Sequence, residues 1–207
     1  MTKKFILPLV IIFTFFASCK DNTDKKQETK TIISKEVKAK SKDTNKADYA
    51  KRGKIIAQST GKTLKGRLKS AIQKGGLKNG INICNNVAQK LMDSMSVVHN
   101  AKIKRTSLKL RNLDDAPNQE ELAILSQYDR EIAQGKQIKP IVRKAKDGIH
   151  FFAPIFIEDV CLNCHGTIGK KLKAETYKEI KKFYPKDEAI NYKKGDLRAI
   201  WSITMKE

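Results

Sequence analysis

Residues 161–165 read Cys161-Leu162-Asn163-Cys164-His165, the C-x-x-C-H spacing of covalent c-type haem attachment. Two thiols separated by two residues can bond to both vinyl groups of one porphyrin, and the adjacent histidine can ligate the iron. A flat cofactor of this size must be enclosed by the fold. The stretch therefore predicts one haem c, attached through Cys161 and Cys164, with His165 as the proximal ligand.

Two other interpretations of these cysteines are open at this point. A C-x-x-C pair can be a redox dithiol or half of a zinc site. The zinc interpretation needs about four ligands, and the sequence has no second C-x-x-C and no H-x-x-x-H. A redox dithiol usually opens a helix after a strand in a βαβ unit, and the sequence pattern predicts no such unit. Haem attachment is the favoured interpretation.

The N-terminus is typical of an exported protein. Residues 1–18 combine Lys3 and Lys4, an apolar run and a small-residue end, as in a signal peptide. The run ends at Cys19, as in bacterial lipoproteins, so we predict that Cys19 is lipidated. We expect a periplasmic or outer-membrane lipoprotein with a membrane anchor.

The rest of the chain divides in two by composition. Residues 20–47 are polar, lack aromatic residues and predict a flexible tether. Residues 48–207 are long enough for a single core. They predict an α+β domain in which helices pack on a small antiparallel sheet. The expected elements are helices over 49–72, 81–95, 119–133 and 170–183, and strands over 101–110, 138–146, 149–157 and 197–205, with a break near Gly61 and turns at Gly75-Gly76 and Lys146-Asp147-Gly148.

Cys84 has no cysteine left to pair with in an oxidising compartment, since Cys19, Cys161 and Cys164 are assigned. From the residues alone it is either a small buried hydrophobe or a second axial ligand to iron. His99 and His150 are rival candidates for that position.

Basic side chains dominate the sequence, with 43 Lys and Arg against 22 Asp and Glu and a formal net charge of +21. Arg105, Lys109 and Arg111 alternate along the strand predicted over 101–110 and would share a face. They could offset the two haem propionates. The lysines are spread evenly, so we expect a basic surface and a protein or membrane partner, not nucleic acid.

Six short segments occur in a characteristic order, from the helix around Cys84 to the last predicted strand. The set resembles the small bacterial haem c proteins with a PAS-like domain, over about residues 80–207. The segments are Ile83-Cys84-Asn85-Asn86-Val87-Ala88, residues 105–112, Ala116-Pro117 with Glu120 or Glu121, Pro154-Ile155, residues 161–166 and Lys194-Gly195-Asp196-Leu197-Arg198.

The resemblance implies a PAS-like sheet and makes Cys84 the second axial ligand opposite His165. It favours redox or gas sensing through an unknown redox or signalling partner. Electron transfer is the alternative, and an enzyme with an open iron site is the least favoured, because a Cys84 ligand would fill that site. We therefore predict no enzymatic activity.

Overall fold

The computed structural model describes residues 23–207, with side chains from residue 45 onward. The predicted signal peptide over 1–18 and the lipidation of Cys19 lie outside the described residues. Contacts divide the chain into two units at Lys42 and Asp43. The described helices and strands are α1 (Thr23–Asn86), α2 (Ala88–His99), β1 (Ala101–Thr106), α3 (Gln119–Ala133), β2 (Ile141–Ala145), β3 (Gly148–Phe156), α4 (Leu162–His165), α5 (Ala174–Phe183) and β4 (Leu197–Met205).

The four strands form one antiparallel sheet in the order β1-β4-β3-β2. The α+β prediction is therefore confirmed, together with helices packed on an antiparallel sheet. The hairpin between β2 and β3 turns where the sequence predicted it. Gly148 is required there, because its φ is +136° and a Cβ would lie 2.3 Å from the carbonyl oxygen of Met205.

Successive residues of each strand bury opposite faces of the sheet. Phe151 of β3 packs with α1 and α2, whereas the adjacent Phe152 packs with α3. Gly53 of α1 lies so close to the sheet that a Cβ there would be 2.3 Å from Cγ of Phe151. The first face holds α1 and α2 and the second holds α3, so the sheet is the middle layer.

α1 differs from the sequence prediction at two points and agrees with it at a third. Its backbone is helical from Thr23, whereas a flexible tether was predicted over 20–47; no glycine or proline occurs between Thr23 and Arg52 to interrupt a helix. The break expected near Gly61 is wrong, because Gly61 continues the helix beside the ring of Trp201. The turn predicted at Gly75-Gly76 is confirmed, since both residues leave helical geometry inside α1.

Two further predicted elements have other limits than expected. The helix predicted over 81–95 is divided at Val87 between the end of α1 and the start of α2. The strand predicted over 101–110 ends at Thr106, where its pairing with Ile200 of β4 ends. Among residues 23–207, no helix is both long and apolar enough to cross a membrane.

Candidate functional site

The C-x-x-C-H segment forms a tight turn followed by one helical turn. A 3-10 turn over Asp159–Cys161 leads directly into α4. Gly166 ends α4, and a Cβ there would lie 2.6 Å from the carbonyl oxygen of Leu162. Both motif cysteines are half-buried with free thiols. The local fold therefore leaves two unpaired thiols and one imidazole on a single short element.

Apolar side chains surround the two thiols. Cys164 packs against a cluster that includes Ile81, Leu172 and Ile180, and Cys161 packs against a second cluster around Leu162. Burial raises the pKa of the Cys164 thiol to about 11.

That raised pKa is unfavourable for the dithiol interpretation, because the thiolate is the attacking form in disulfide exchange. For the zinc interpretation, residues 45–207, whose side chains the structure describes, contain no cluster of three His, Cys, Asp or Glu able to hold a metal ion.

His165 is oriented by a backbone carbonyl. Its Nδ1 lies 2.8 Å from the oxygen of Ala189, and since a carbonyl can only accept, Nδ1 donates. Nε2 then carries the lone pair that a metal ligand needs. Burial, together with the charges of Arg111 and Arg198, holds the pKa of His165 well below its usual range. The imidazole is therefore neutral and has one nitrogen available for coordination.

A buried ion pair fixes that carbonyl and the motif together. Arg111 donates from Nε and Nη2 to the two carboxylate oxygens of Asp187, at 3.1 Å each. Its Nη2 also donates to the carbonyl oxygens of Cys164 at 2.6 Å and Ala189 at 3.2 Å. Asp187 is fully buried and accepts from the N–H of Ala189 at 2.9 Å. This Arg111–Asp187 brace thus positions both the second cysteine and the acceptor of His165.

The basic residues predicted to face the propionates do not share one strand. Arg105 lies on β1, but Lys109 and Arg111 follow its end, so the prediction of a common strand face is wrong for them. Lys109 donates from Nζ to the carbonyl of Ile190 and lies 4.5 Å from the ring centroid of Tyr192. Arg105 differs from both, because its buried Nε has no hydrogen-bond partner among the described residues.

Cys84, in the last turn of α1, is brought to the same region. Its side chain is accessible to solvent, and yet the surrounding protein desolvates the thiol and raises its pKa. The charges of Arg105, Arg111 and Arg198 act on the Cys84 thiol, and the same three act on His165. One cluster of arginines therefore lies within electrostatic range of Cys84 and of the imidazole.

The two rival histidines lie elsewhere. His99 ends α2 and its Nε2 lies 2.9 Å from Oγ of Ser59. In His150, Nδ1 lies 2.6 Å from a carboxylate oxygen of Glu120 and Nε2 lies 2.8 Å from one of Asp147. His150 is near the start of β3, six residues and about 20 Å from the end that leads to the motif. The structure does not bring either imidazole to His165.

Sequence reasoning missed several residues that shape the site. Arg198 donates to Oγ of Ser107 at 2.8 Å and lies 5.5 Å from the ring centroid of Tyr192. The ring of Tyr192 meets that of His165 edge-on, with 6.2 Å between centroids. Asp187 is separated from Arg111 by 76 positions. No local pattern marks such distant partners, although Arg198 falls within the last segment of the family-like set.

Comparison with known proteins gives one family and one solved structure. A family model described as Tll0287-like matches residues 11–206, almost the whole chain. The structure described as that of the cyanobacterial heme-protein Tll0287 is 22% identical in sequence, with a TM-score of 0.48. The alignment covers 69% of this chain and 94% of that one. No curated protein matches.

Proposed function

We propose that this chain, which belongs to the Tll0287-like family, carries one haem c bonded to Cys161 and Cys164 with His165 as proximal ligand. The protein after which the family is named is described as a heme-protein. One local observation carries the proposal. Two free thiols in C-x-x-C spacing adjoin a neutral imidazole whose Nδ1 already donates a hydrogen bond to the carbonyl oxygen of Ala189. Those are the groups that covalent attachment and axial ligation need.

The described residues fit a covalently attached haem in three respects. The two thiols are half-buried among apolar side chains, as the edge of a porphyrin requires. The unpaired Nε of Arg105 is a buried donor without an acceptor, and a propionate would supply one. The Cys84 thiol is accessible to solvent and is acted on by the same three arginine charges as His165. Haem iron, when bound, supplies one-electron redox chemistry and an attachment point for small ligands such as CO.

The residues of this chain have separate tasks in the proposal. Arg105 and Arg198 offset propionate charge, while Lys109 and Arg111 are largely engaged with backbone carbonyls and Asp187. Both remain candidates for propionate contact through their remaining N–H groups. The carbonyl of Ala189 sets the ring orientation of His165 and raises the basicity of Nε2.

Cys84 is the second axial ligand in this account. It lies on a short helical segment between the interruption at Gly75-Gly76 and the division at Val87. The departure from helical geometry at Gly75-Gly76 gives this segment a point at which it can shift relative to the preceding helix. At Val87 the chain keeps the hydrogen bonds from the N–H of Val87 to Ile83 and from the N–H of Leu91 to Val87. A ligand on such a segment suits exchange with a gas or a change with redox state, so a sensor in a PAS-like frame is the function we favour.

The proposed localisation and the proposed partner rest on the sequence. We propose an exported lipoprotein, anchored through Cys19, that passes a signal to a separate redox or signalling protein and catalyses no reaction itself. Electron transfer is the second candidate. It is favoured by the position of the motif near the surface, where Val160, next to Cys161, is 59% exposed and a partner could approach closely.

Substitution of the proposed axial ligand distinguishes these possibilities. In haem-loaded protein, Cys84→Ala should change the optical and EPR spectra, because the iron loses a sulfur ligand. Asn85→Ala, on the adjacent exposed position, is the matched control and should leave both spectra unchanged. Identical spectra for Cys84→Ala and the parent protein would refute the ligand role.

CO binding to the reduced protein tests the sensor. We expect CO to bind the parent protein slowly, by displacing Cys84, and to bind the Cys84→Ala variant faster. A parent protein that never binds CO or NO in either oxidation state would overturn gas sensing and favour electron transfer.

A further inference from the structure

The exposed side of α1 carries a stripe of lysines. Lys51, Lys54, Lys62, Lys65 and Lys69 recur at spacings of three, eight, three and four residues. At 3.6 residues per turn, all five fall within a sector of about 80°, and they extend over about 27 Å of helix. All five side chains are exposed. We refer to these residues as the lysine stripe.

No acidic residue interrupts the charge of this region. Residues 49–92 contain ten Lys or Arg and no Asp or Glu. Within the part of the chain that the structure describes, Lys65 is the only stripe residue with an ion-pair partner, Glu158. The other four lysines face solvent without a described counter-charge. Lysines that are spread evenly along the sequence are thus brought to one side of a single helix.

An apolar patch borders the stripe. Ile55 shares a face of α1 with Arg52 and Ser59, at spacings of three and four residues. Those two residues contact the end of α2: Arg52 donates to the carbonyl of His99, and Oγ of Ser59 lies 2.9 Å from its Nε2. Ile55 therefore lies on the side of α1 that meets α2.

The end of α2 contributes the remaining apolar side chains. Val97 and Val98 are 82% and 72% exposed, and Ile55 is 52% exposed. The lysine stripe and these three side chains together make a cationic surface with apolar residues along one edge, which is the composition of a membrane-interface surface.

We propose that this face binds the anionic headgroups of a phospholipid bilayer. A protein partner would be recognised by a pattern of both signs, whereas the lysine stripe offers one sign along a straight line, which complements a uniformly negative plane. Lysine keeps a compact, hydrated charge suited to headgroups, and Ile55, Val97 and Val98 can enter the boundary with the acyl chains. The inference is independent of haem binding.

Vesicle sedimentation with the full chain tests this surface. Vesicles of phosphatidylcholine alone measure any contribution of a lipid anchor, and vesicles with equal phosphatidylglycerol and phosphatidylcholine add the negative charge. Binding should be stronger to the anionic vesicles and should weaken as salt is added. The triple variant Lys54→Gln, Lys62→Gln, Lys69→Gln should bind the anionic vesicles about a hundredfold less, from roughly fivefold for each lysine.

A control triple on another surface removes the same charge. Lys136→Gln, Lys139→Gln, Lys146→Gln alters exposed lysines in the α3–β2 loop and the β2–β3 turn. Equal losses in the two triples would attribute binding to net charge and overturn the proposal. Equal binding of the parent to both vesicle types would also overturn it. Soluble polyglutamate is the last probe: stripe-dependent binding to it without binding to anionic vesicles would assign the surface to an acidic protein instead.

Discussion

Removal of the Asp187 side chain should strongly lower the stability of the protein around the C-x-x-C-H segment. Asp187 is fully buried and neutralises Arg111, whose side chain is 12% exposed, through two hydrogen bonds of 3.1 Å. Asp187→Ala would leave that cation and the N–H of Ala189 without their acceptor. Breaking one side of a buried ion pair costs about 3–5 kcal/mol, a large share of the roughly 5–15 kcal/mol that stabilises a typical domain.

Urea unfolding followed by circular dichroism measures this loss as a lower midpoint. Asp187→Asn should be less severe than Asp187→Ala, since an amide oxygen can still accept from Ala189 but cannot neutralise Arg111. Asp159→Ala is the matched control, because its pair with Lys194 lies in solvent, and we expect little change there.

The same variants test the positioning of His165. Loss of the Asp187 carboxylate leaves the N–H of Ala189 without its acceptor and Arg111 without its counter-charge, which weakens the positioning of the Ala189 carbonyl. The haem-loaded Asp187→Ala variant should therefore show altered iron ligation in its EPR spectrum, and Asp187→Asn a smaller change. A loss of stability below about 1 kcal/mol for Asp187→Ala would contradict this prediction, since it would mean that the buried Arg111 finds another partner at no cost.

Two further predictions concern the frame around the site. Gly53→Ala should destabilise the protein by about 1–3 kcal/mol, because its Cβ would enter the ring of Phe151. Gly66→Ala is the control and should not destabilise it, because no atom lies within 4 Å of the added Cβ. A lower melting temperature for Gly66→Ala than for Gly53→Ala would contradict the packing of α1. Burial would raise the pKa of Glu121, but hydrogen bonds led by that from Lys104 outweigh it and lower the pKa below its ordinary 4.5. The stability that this lowered pKa contributes is fully present above pH 4.5 and disappears as the pH falls through the lowered pKa. Glu121→Gln should therefore be less stable than the parent protein at neutral pH and equally stable in acid. A difference in stability that persists in acid would disprove the prediction.

Local signals in the sequence predicted the elements whose ends are set locally. α3 begins at Gln119 as expected, because Asn118 and Glu121 form a capping box that fixes the helix start. β4 spans Leu197–Met205 as predicted, since its apolar run lies centrally in the sheet and is buried on both faces, with Trp201 and Ile203 on one side and Ile200 on the other.

Elements whose limits depend on distant partners were predicted less well. The alternation of residues 101–110 continues past Thr106, but pairing with β4 does not, so Lys109 and Arg111 leave the sheet. Arg111 was expected to face a propionate because the sequence cannot show Asp187, 76 positions away, as its counter-ion. The motif itself is contiguous, which is why Cys161, Cys164 and His165 could be singled out from sequence, while Tyr192 and Ala189 could not.

Covalent haem attachment is the claim on which the account rests, and intact-mass spectrometry of the denatured protein tests it most directly. The chain should be produced in a host that assembles c-type haem. We predict that the denatured chain keeps the mass of one haem and gives a haem-stained band in SDS, and that Cys161→Ser, Cys164→Ser loses both signals. A parent chain whose mass equals that of its polypeptide alone, or a double variant that still retains haem in SDS, would contradict the account.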